Sequence, residues 1–251
     1  MSGRLSGKVA IVTGGGSGFG AEICRKFGEE GARVTVLDLN EEGAKQVAKE
    51  VGDGNALAMR CDVTKRSEVS GAIKATIEKF GRIDSYVNNA GITHTNKPLL
   101  EIDESWFDKI FAVNVKAIYY SALEMVPIYR KQGGGTIINI ASTAGVRPRP
   151  GLVVYNASKG AAITLTRSLA IELAPDNIRV TAINPVAGET PLLREFMGED
   201  TPEIREKFRS SVPIGRLSTP RDIANAVAFL ASDEAAFMTG VAIEVDGGRC
   251  I

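Results

Sequence analysis

Short apolar runs alternate with longer amphipathic stretches along most of the chain. Lys8–Thr13, Arg33–Leu37, Ala56–Cys61 and Ile83–Val87 are compact and mostly apolar, as expected of strands buried on both faces. Between them, Ala21–Glu30, Glu41–Glu50 and Ser67–Phe80 read as helices. Ile23 and Phe27 share a face of the first, with Gly31 closing it; Val69, Ile73 and Ile77 share a face of the third. The second half repeats the theme. A long helix over Ser105–Lys131 is broken by Gly133–Gly135. A strand follows at Thr136–Ile140, with polar Asn139 among its apolar residues. Helices over Tyr155–Leu173 and Arg221–Ala231 then alternate with strands over Ile178–Ile183 and Val241–Val245. Strands regularly spaced by helices predict an α/β fold of βαβ units, and right-handed crossovers turn these into a doubly wound parallel sheet with helices on both faces.

Two segments break the alternation. Gly91–Asp103 follows the fourth strand, and Ala187–Leu217 follows the sixth. Both leave the carboxyl ends of strands, where open α/β sheets bind ligands. The second is rich in charge, Pro and Thr, and predicts a short helical lid able to move over a pocket. No linker, low-complexity tract or repeat beyond the βα alternation divides the chain, so 251 residues fit a single domain.

Composition narrows the function classes. Hydrophobic residues make up 44% and charged residues 24%, enough for a large core and too apolar for disorder. Thirty basic and thirty acidic side chains cancel, which predicts no nucleic-acid or anionic-membrane partner from charge. Three scattered cysteines, Cys24, Cys61 and Cys250, match neither a disulfide framework nor a zinc site and predict reduced thiols in the cytoplasm. The single histidine, His94, cannot build a His-rich metal site. The apolar run Val9–Val12 is too short for a signal-peptide core, and no apolar stretch is long enough for a membrane span.

The first strand runs into Thr13-Gly14-Gly15-Gly16-Ser17-Gly18-Phe19-Gly20. Glycine lets the backbone turn sharply and approach a pyrophosphate, while the following helix directs free amides and its positive dipole end at the same anion. Asp38 ends the second strand about twenty residues later, where a carboxylate can accept both ribose hydroxyls and repel a 2′-phosphate. Leu39, Asn40 and Ser17 supply no positive charge. NAD is therefore expected over NADP. An Asp at that place can also cap the helix beginning at Glu41.

Tyr155 and Lys159 stand four apart and share a helix face. Such a pair is ordinarily a solvated surface pair, but the context is specific: Ser142 ends the fifth strand, and Asn114 lies in the long helix before it. The glycine turn, Asn88-Asn89-Ala90-Gly91, Asn114, Ser142, Tyr155-Asn156-Ala157-Ser158-Lys159 and the closing Asp246-Gly247-Gly248, in that order, resemble the short-chain dehydrogenase/reductases over essentially the whole chain.

That resemblance implies a single Rossmann-like domain with seven parallel strands and reversible hydride transfer between an alcohol and NAD(P). It makes Tyr155 the general acid/base. A free phenol has a pKa of about 10, so catalysis near neutrality needs a drop of about three units, roughly 4 kcal/mol. A Lys159 ammonium about 4 Å away supplies that order of energy at an effective dielectric of about 20, and the positive nicotinamide ring adds to it. Ser142 would hold the substrate oxygen, and Asn114 a water linking Lys159 to solvent. Asn114 can also be a polar residue satisfied within its helix. Gly14, Ser17, Gly18, Phe19 and Gly20 would cradle the phosphates, with Asp38 and Leu39 at the ribose. Asp62 and Val63 would meet the adenine, unless Asp62 is only a helix cap. Asn89, Ala90 and Gly91 would line the adenosine side. Pro185 and Thr190 would grip the nicotinamide carboxamide, although Val186 stands where the family usually has glycine. A homotetramer is implied, with the helices 105–131 and 155–173 between subunits.

Substrate contacts are expected from Thr93–Asn96, Thr143–Leu152 and Glu189–Phe208. Arg147 and Arg149 can recognise an anionic group or serve as surface charges, and His94 can touch substrate or simply brace its loop. The strings around His94, Arg147 and Pro185 are similar to a subgroup of (hydroxymethyl)benzenesulfonate-type alcohol dehydrogenases, which fits an anionic or aromatic alcohol. A 3-oxoacyl-carrier-protein reductase, a sugar or polyol dehydrogenase, and a nucleotide-binding sensor or scaffold on the same fold are the other readings.

Overall fold

The computed structural model describes residues 3–251. Its first half runs β1 (Val9–Thr13), α1 (Gly18–Glu29), β2 (Arg33–Asp38), α2 (Glu41–Val51), β3 (Ala56–Arg60), α3 (Arg66–Phe80) and β4 (Ser85–Asn88). The second half runs α4 (Glu104–Phe111), α5 (Ala117–Gln132), β5 (Gly135–Ile140), α6 (Val153–Leu173), β6 (Ile178–Pro185), α7 (Leu193–Met197), α8 (Pro202–Ser210), α9 (Pro220–Ala231) and β7 (Ala242–Val245). All seven strands join one parallel sheet in the order β3-β2-β1-β4-β5-β6-β7.

Alternation along the strands feeds two cores. Val12, Val34 and Val36 face Ile23, Phe27, Val47, Ile223 and Val227 of α1, α2 and α9. Ile11, Leu37, Tyr86 and Ile137 face Val69, Ile73, Met125, Tyr129 and Leu173 of α3, α5 and α6. Local chemistry sets several ends. Asn40 caps α2 by accepting from the Gly43 amide at 3.2 Å. Thr219 and Asp222 form a reciprocal capping box on α9, with Pro220 in its first turn.

Two departures from the sequence pattern stand out. The single helix expected over Ser105–Lys131 is interrupted: α4 and α5 are separated by a π turn over Ala112–Lys116. Inserting an extra residue per turn rotates the side chains around it, and here that turn carries Asn114. Polar Asn139 is satisfied within the core. It accepts from Asn88 Nδ2 at 2.8 Å and donates to Thr166 Oγ1 at 2.9 Å, joining β4, β5 and α6.

The strand order reverses between β1 and β4, so the connections on either side leave in opposite directions. This opens a crevice at the carboxyl ends of the central strands. The expected lid over 187–217 contains α7 and α8, whose Leu193, Met197, Ile204 and Phe208 pack into a small cluster with Leu217. Among the described residues no helix is long and apolar enough to cross a membrane.

Candidate active site

One continuous cavity of about 430 Å³ lies in that crevice. It reaches from Gly14, Ser17, Gly18, Asp38 and Asp62 to Ser142, Tyr155, Lys159 and the lid residues Leu192 and Phe196.

The glycine turn forms one end. Gly14 and Gly18 adopt φ of 62° and 54°, a left-handed conformation costly for other residues. A side chain at Gly20 would place its Cβ 2.0 Å from the Gly14 carbonyl oxygen, so only glycine allows α1 to start this close to the turn. The turn is tied to β4 by Thr13, the first residue of the glycine motif, to which the sequence assigns no task of its own. Its hydroxyl oxygen accepts from the Asn89 and Ala90 amides, both at 3.0 Å. Asn89 Nδ2 donates to the carbonyls of Thr13 at 2.8 Å and Gly14 at 3.0 Å. Asp38 fastens the other side: its carboxylate accepts from Gly16 N and Asn40 N, each at 2.9 Å. Asp38 thus braces the turn rather than capping the first helical amides of α2, a role Asn40 takes.

Leu39, Val63, Asn89, Ala90, Gly91, Phe19, Pro185 and Thr190 also line the cavity. Asp62 does so too, its Oδ1 accepting from the Thr64 amide at 3.0 Å and hydroxyl at 2.7 Å and its Oδ2 3.7 Å from Lys65 Nζ. These bonds help hold its carboxyl below the usual range against the opposing effect of burial. Glu68, which the sequence pattern does not single out, accepts from the Asp62 amide at 2.8 Å.

At the other end, α6 brings Tyr155 and Lys159 to the cavity, 5% exposed each. Lys159 Nζ lies 5.8 Å from the Tyr155 ring centroid and donates to the Ile140 carbonyl at 2.7 Å. Ser142, at the end of β5, accepts from the Ala144 amide at 3.0 Å. Phe196 covers the Tyr155 ring at 5.1 Å between centroids. Burial pushes the phenol up to about 12, opposed by the Ser142 hydroxyl beside it. Burial pushes Lys159 down to about 8. In the protein by itself burial dominates at both side chains.

Asn114 is satisfied by protein. Its Oδ1 accepts from Ile92 N at 2.9 Å, and its Nδ2 donates to Ile92 O and Ser158 Oγ, both at 3.0 Å. Ser158 donates in turn to the Tyr155 carbonyl at 2.7 Å, so Asn114 fixes the first turns of α6.

The expected substrate contacts divide sharply. From the lid, Thr190, Pro191, Leu192 and Phe196 reach the cavity wall; His94, Arg147 and Arg149 do not. His94 is buried, with Nδ1 2.9 Å from the Thr95 carbonyl. Arg147 turns to the C-terminal segment, donating to the Arg249 carbonyl at 2.7 Å. Arg149 stacks its guanidinium 4.5 Å from the centroid of the Phe208 ring on α8. Beyond Ser142, the loop leading to α6 bends away from the cavity, and no pattern of residue types reveals that direction.

Comparison with known proteins fits this geometry. A family model described as enoyl-(acyl carrier protein) reductase matches residues 14–249. A 4-formylbenzenesulfonate dehydrogenase of Comamonas testosteroni is 51% identical over 251 residues, covering 99% of this chain and 100% of the relative. A 2,5-dichloro-2,5-cyclohexadiene-1,4-diol dehydrogenase of Sphingobium indicum is 41% identical over 99% of this chain and 98% of its own length. The crystal structure of a 3-ketoacyl-(acyl-carrier-protein) reductase from Brucella melitensis complexed with NADH superposes with a TM-score of 0.94 at 47% identity, covering 98% of this chain and 100% of that one. The chain belongs to the short-chain dehydrogenase/reductase family.

As a short-chain dehydrogenase/reductase it is an oxidoreductase of CH–OH donors, and the family uses NAD(P). The residues present fit such a group: the backbone of the turn packs too closely at Gly20 to admit a side chain, and the cavity is continuous from the turn to Ser142 and Tyr155. Gly20→Ala is expected to break this fit. A Cβ 2.0 Å from a backbone oxygen forces α1 off the turn, at a cost of about 3 kcal/mol. Thermal unfolding should show a fall of roughly 6–12 °C, with KM for the dinucleotide raised at least about tenfold. An unchanged Tm and KM would show that the turn tolerates the shift.

Proposed function

We propose that this chain is an NAD-linked alcohol dehydrogenase/carbonyl reductase in which Tyr155 is the general acid/base. The observation that carries the reading is the single cavity joining the glycine turn and Asp38 to Ser142, Tyr155 and Lys159. Gly14, Ser17, Gly18, Phe19 and Gly20 hold the pyrophosphate at the start of α1. Asp38 and Leu39 hold the adenosine ribose, Asp62 and Val63 the adenine, and Asn89, Ala90 and Gly91 the adjoining wall. Pro185 and Thr190 hold the carboxamide. Bound NAD supplies the hydride acceptor and a positive ring charge near the phenol.

Ser142 anchors the substrate oxygen beside Tyr155 and fixes the near-attack geometry. In the oxidative direction, the Tyr155 phenolate removes the hydroxyl proton; in the reductive direction, the phenol returns it. Lys159, held against the Ile140 carbonyl, positions the ribose and contributes positive charge. Asn114 keeps α6 in register with the Ile92 loop.

The substrate end is mainly apolar, formed by Ile92, Val113, Leu192 and Phe196. That wall suits a ring-bearing alcohol, consistent with two relatives named for substrates built on a six-carbon ring. A carrier-bound 3-oxoacyl group is the second reading, favoured by the likeness to the Brucella melitensis reductase. Steady-state rates with benzylic and alicyclic alcohols against a 3-oxoacyl thioester separate the two.

Cofactor choice rests on Asp38, whose charge opposes a 2′-phosphate. Asp38→Ala is expected to raise the NADP-to-NAD ratio of kcat/KM by about 10–100-fold, through loss of a charge repulsion worth roughly 1.4–2.7 kcal/mol. Activity with NAD falls at the same time, because the Gly16 and Asn40 amides lose their acceptor. An unaltered ratio would remove Asp38 from the ribose site.

A further inference from the structure

The lid helix α7 divides its faces among three neighbours. Leu193 and Met197, one turn apart, are buried in the lid's own cluster with Leu217. Leu192 and Phe196 stand about 100° away around the axis and line the cavity. Phe196 packs on the Tyr155 ring at 5.1 Å between centroids, the planes inclined at 57°. Besides Tyr155 and Phe19 of the glycine turn, it is the one aromatic side chain lining that cavity among the described residues. Glu195 turns to a third side, toward the segment after β4. Its carboxylate accepts from the Thr95 hydroxyl at 2.5 Å, and its carbonyl accepts from the Asn96 amide at 3.0 Å.

The segment that receives Glu195 is itself fixed. Asn96 Nδ2 donates to the Pro150 carbonyl at 2.9 Å, and the Lys97 amide donates to the Gly151 carbonyl at 3.1 Å. The next residue, Leu152, packs against Tyr155. The base of the lid is held as well: Gly188 and Ser218 pair as a parallel bridge, and the Glu189 amide donates to the Ser218 carbonyl at 3.0 Å. Phe196 thus sits between a base closed by backbone bonds and a contact at Thr95 and Asn96 that is anchored in turn to the loop before α6. These bonds set the distance of its ring from Tyr155.

We infer that Phe196 is the specificity-determining residue of the reaction, selecting a flat aromatic alcohol over an open-chain one, and that Glu195 is the positioning residue that holds it there through Thr95. The inference rests on the hydride-transfer reading above and names the substrate class within it. An aromatic ring meets an offset or tilted aromatic neighbour favourably. It also brings few rotatable bonds to be frozen, whereas a saturated chain of the same carbon number gives up several torsions beside a wall already fixed.

Steady-state oxidation of benzyl alcohol and of heptan-1-ol, primary alcohols of equal carbon number, provides a ratio of kcat/KM values that tests this. Phe196→Leu should lower the ratio of benzyl alcohol to heptan-1-ol about tenfold, mostly through KM for benzyl alcohol. Glu195→Ala and Thr95→Val should each lower it about fivefold. Glu195→Gln, which keeps an acceptor for the Thr95 hydroxyl, should hold it within about twofold of wild type. A residue that merely supports the fold would depress both alcohols alike and leave the ratio where it was. An unchanged ratio in Phe196→Leu overturns the inference, and so does a loss in Glu195→Gln as large as that in Glu195→Ala. Where Phe196→Leu fails to fold, the two Glu195 variants and Thr95→Val decide. Failure of the wild type to oxidise either alcohol would sink the hydride-transfer reading and this inference together; oxidation of both, with a ratio no variant alters, refutes the inference alone.

Discussion

Replacing Tyr155 with Phe is expected to lower kcat for alcohol oxidation by about 10³-fold or more, the contribution of a positioned general base. KM should change little. The ring packs against Leu152, Ala144 and Phe196, contacts that Phe preserves. Tm should therefore stay within about 2 °C, since only a hydroxyl is removed. Initial rates of dinucleotide reduction, measured with a cyclic alcohol, check this directly. Activity within tenfold of wild type would transfer the proton chemistry to another group, and Ser142 is the one adjacent to it. In the active variants, the oxidative rate should rise with pH, because the phenol must be ionised and burial holds it up at about 12 in the protein alone. Positive charge brought by cofactor binding moves that rise toward neutrality, so the profile of the loaded enzyme should lie below the titration of Tyr155 in the free protein.

The second large effect concerns Lys159, and it should separate activity from stability. Lys159→Met is expected to reduce kcat/KM by about 10³-fold while making the ligand-free protein more stable. The ammonium is buried, and its affinity for the proton falls from the ordinary 10.5 to about 8. Its folded-state value lies below the unfolded one, so the unfolded chain binds more protons across that window and stability rises with pH there. The penalty is complete below about 8 and relieved above about 10.5. That difference corresponds to roughly 3 kcal/mol. About 1 kcal/mol is returned because the Ile140 carbonyl loses its donor. A net gain of about 2 kcal/mol raises Tm by roughly 4–8 °C at pH 7. The difference between variant and wild type should shrink as pH approaches 10. A variant less stable than wild type at pH 7 would show that the ammonium is better solvated than its surroundings imply.

Much of this architecture is legible in the chain because buried parallel strands and amphipathic helices write different periods into it. The seven strands fall where the apolar runs place them, within a residue or two at most ends. The parallel order and the crevice follow from connection rules. The π turn is not legible: the apolar spacing over 105–131 is compatible with an unbroken helix, and the extra residue is set by the bonds Asn114 makes to Ile92 and Ser158. Thr13 heads the glycine motif, but its role is not readable, because a threonine ending a strand is unremarkable by propensity. Only the arrival of Asn89 and Ala90 beside its hydroxyl gives it a task. The position of Asp38 is readable, but its service to the Gly16 amide emerges only once the turn is closed. Arg147 and Arg149 mark the opposite limit. Their proximity in sequence to Ser142 points to the substrate, while chain direction after β5 carries Arg147 to the C-terminal segment and Arg149 to α8. Sequence distance constrains where a backbone can go; it does not fix which side of a wall a long side chain ends on.

The bonding around Thr13 and Asn89 has a calorimetric corollary. The nucleotide socket is laced shut by its own amides and carbonyls before any guest arrives, so little disorder remains to be frozen out on docking at that end. The heat-capacity decrement of association should scale with the apolar area covered there, without the surplus that accompanies folding of a floppy loop.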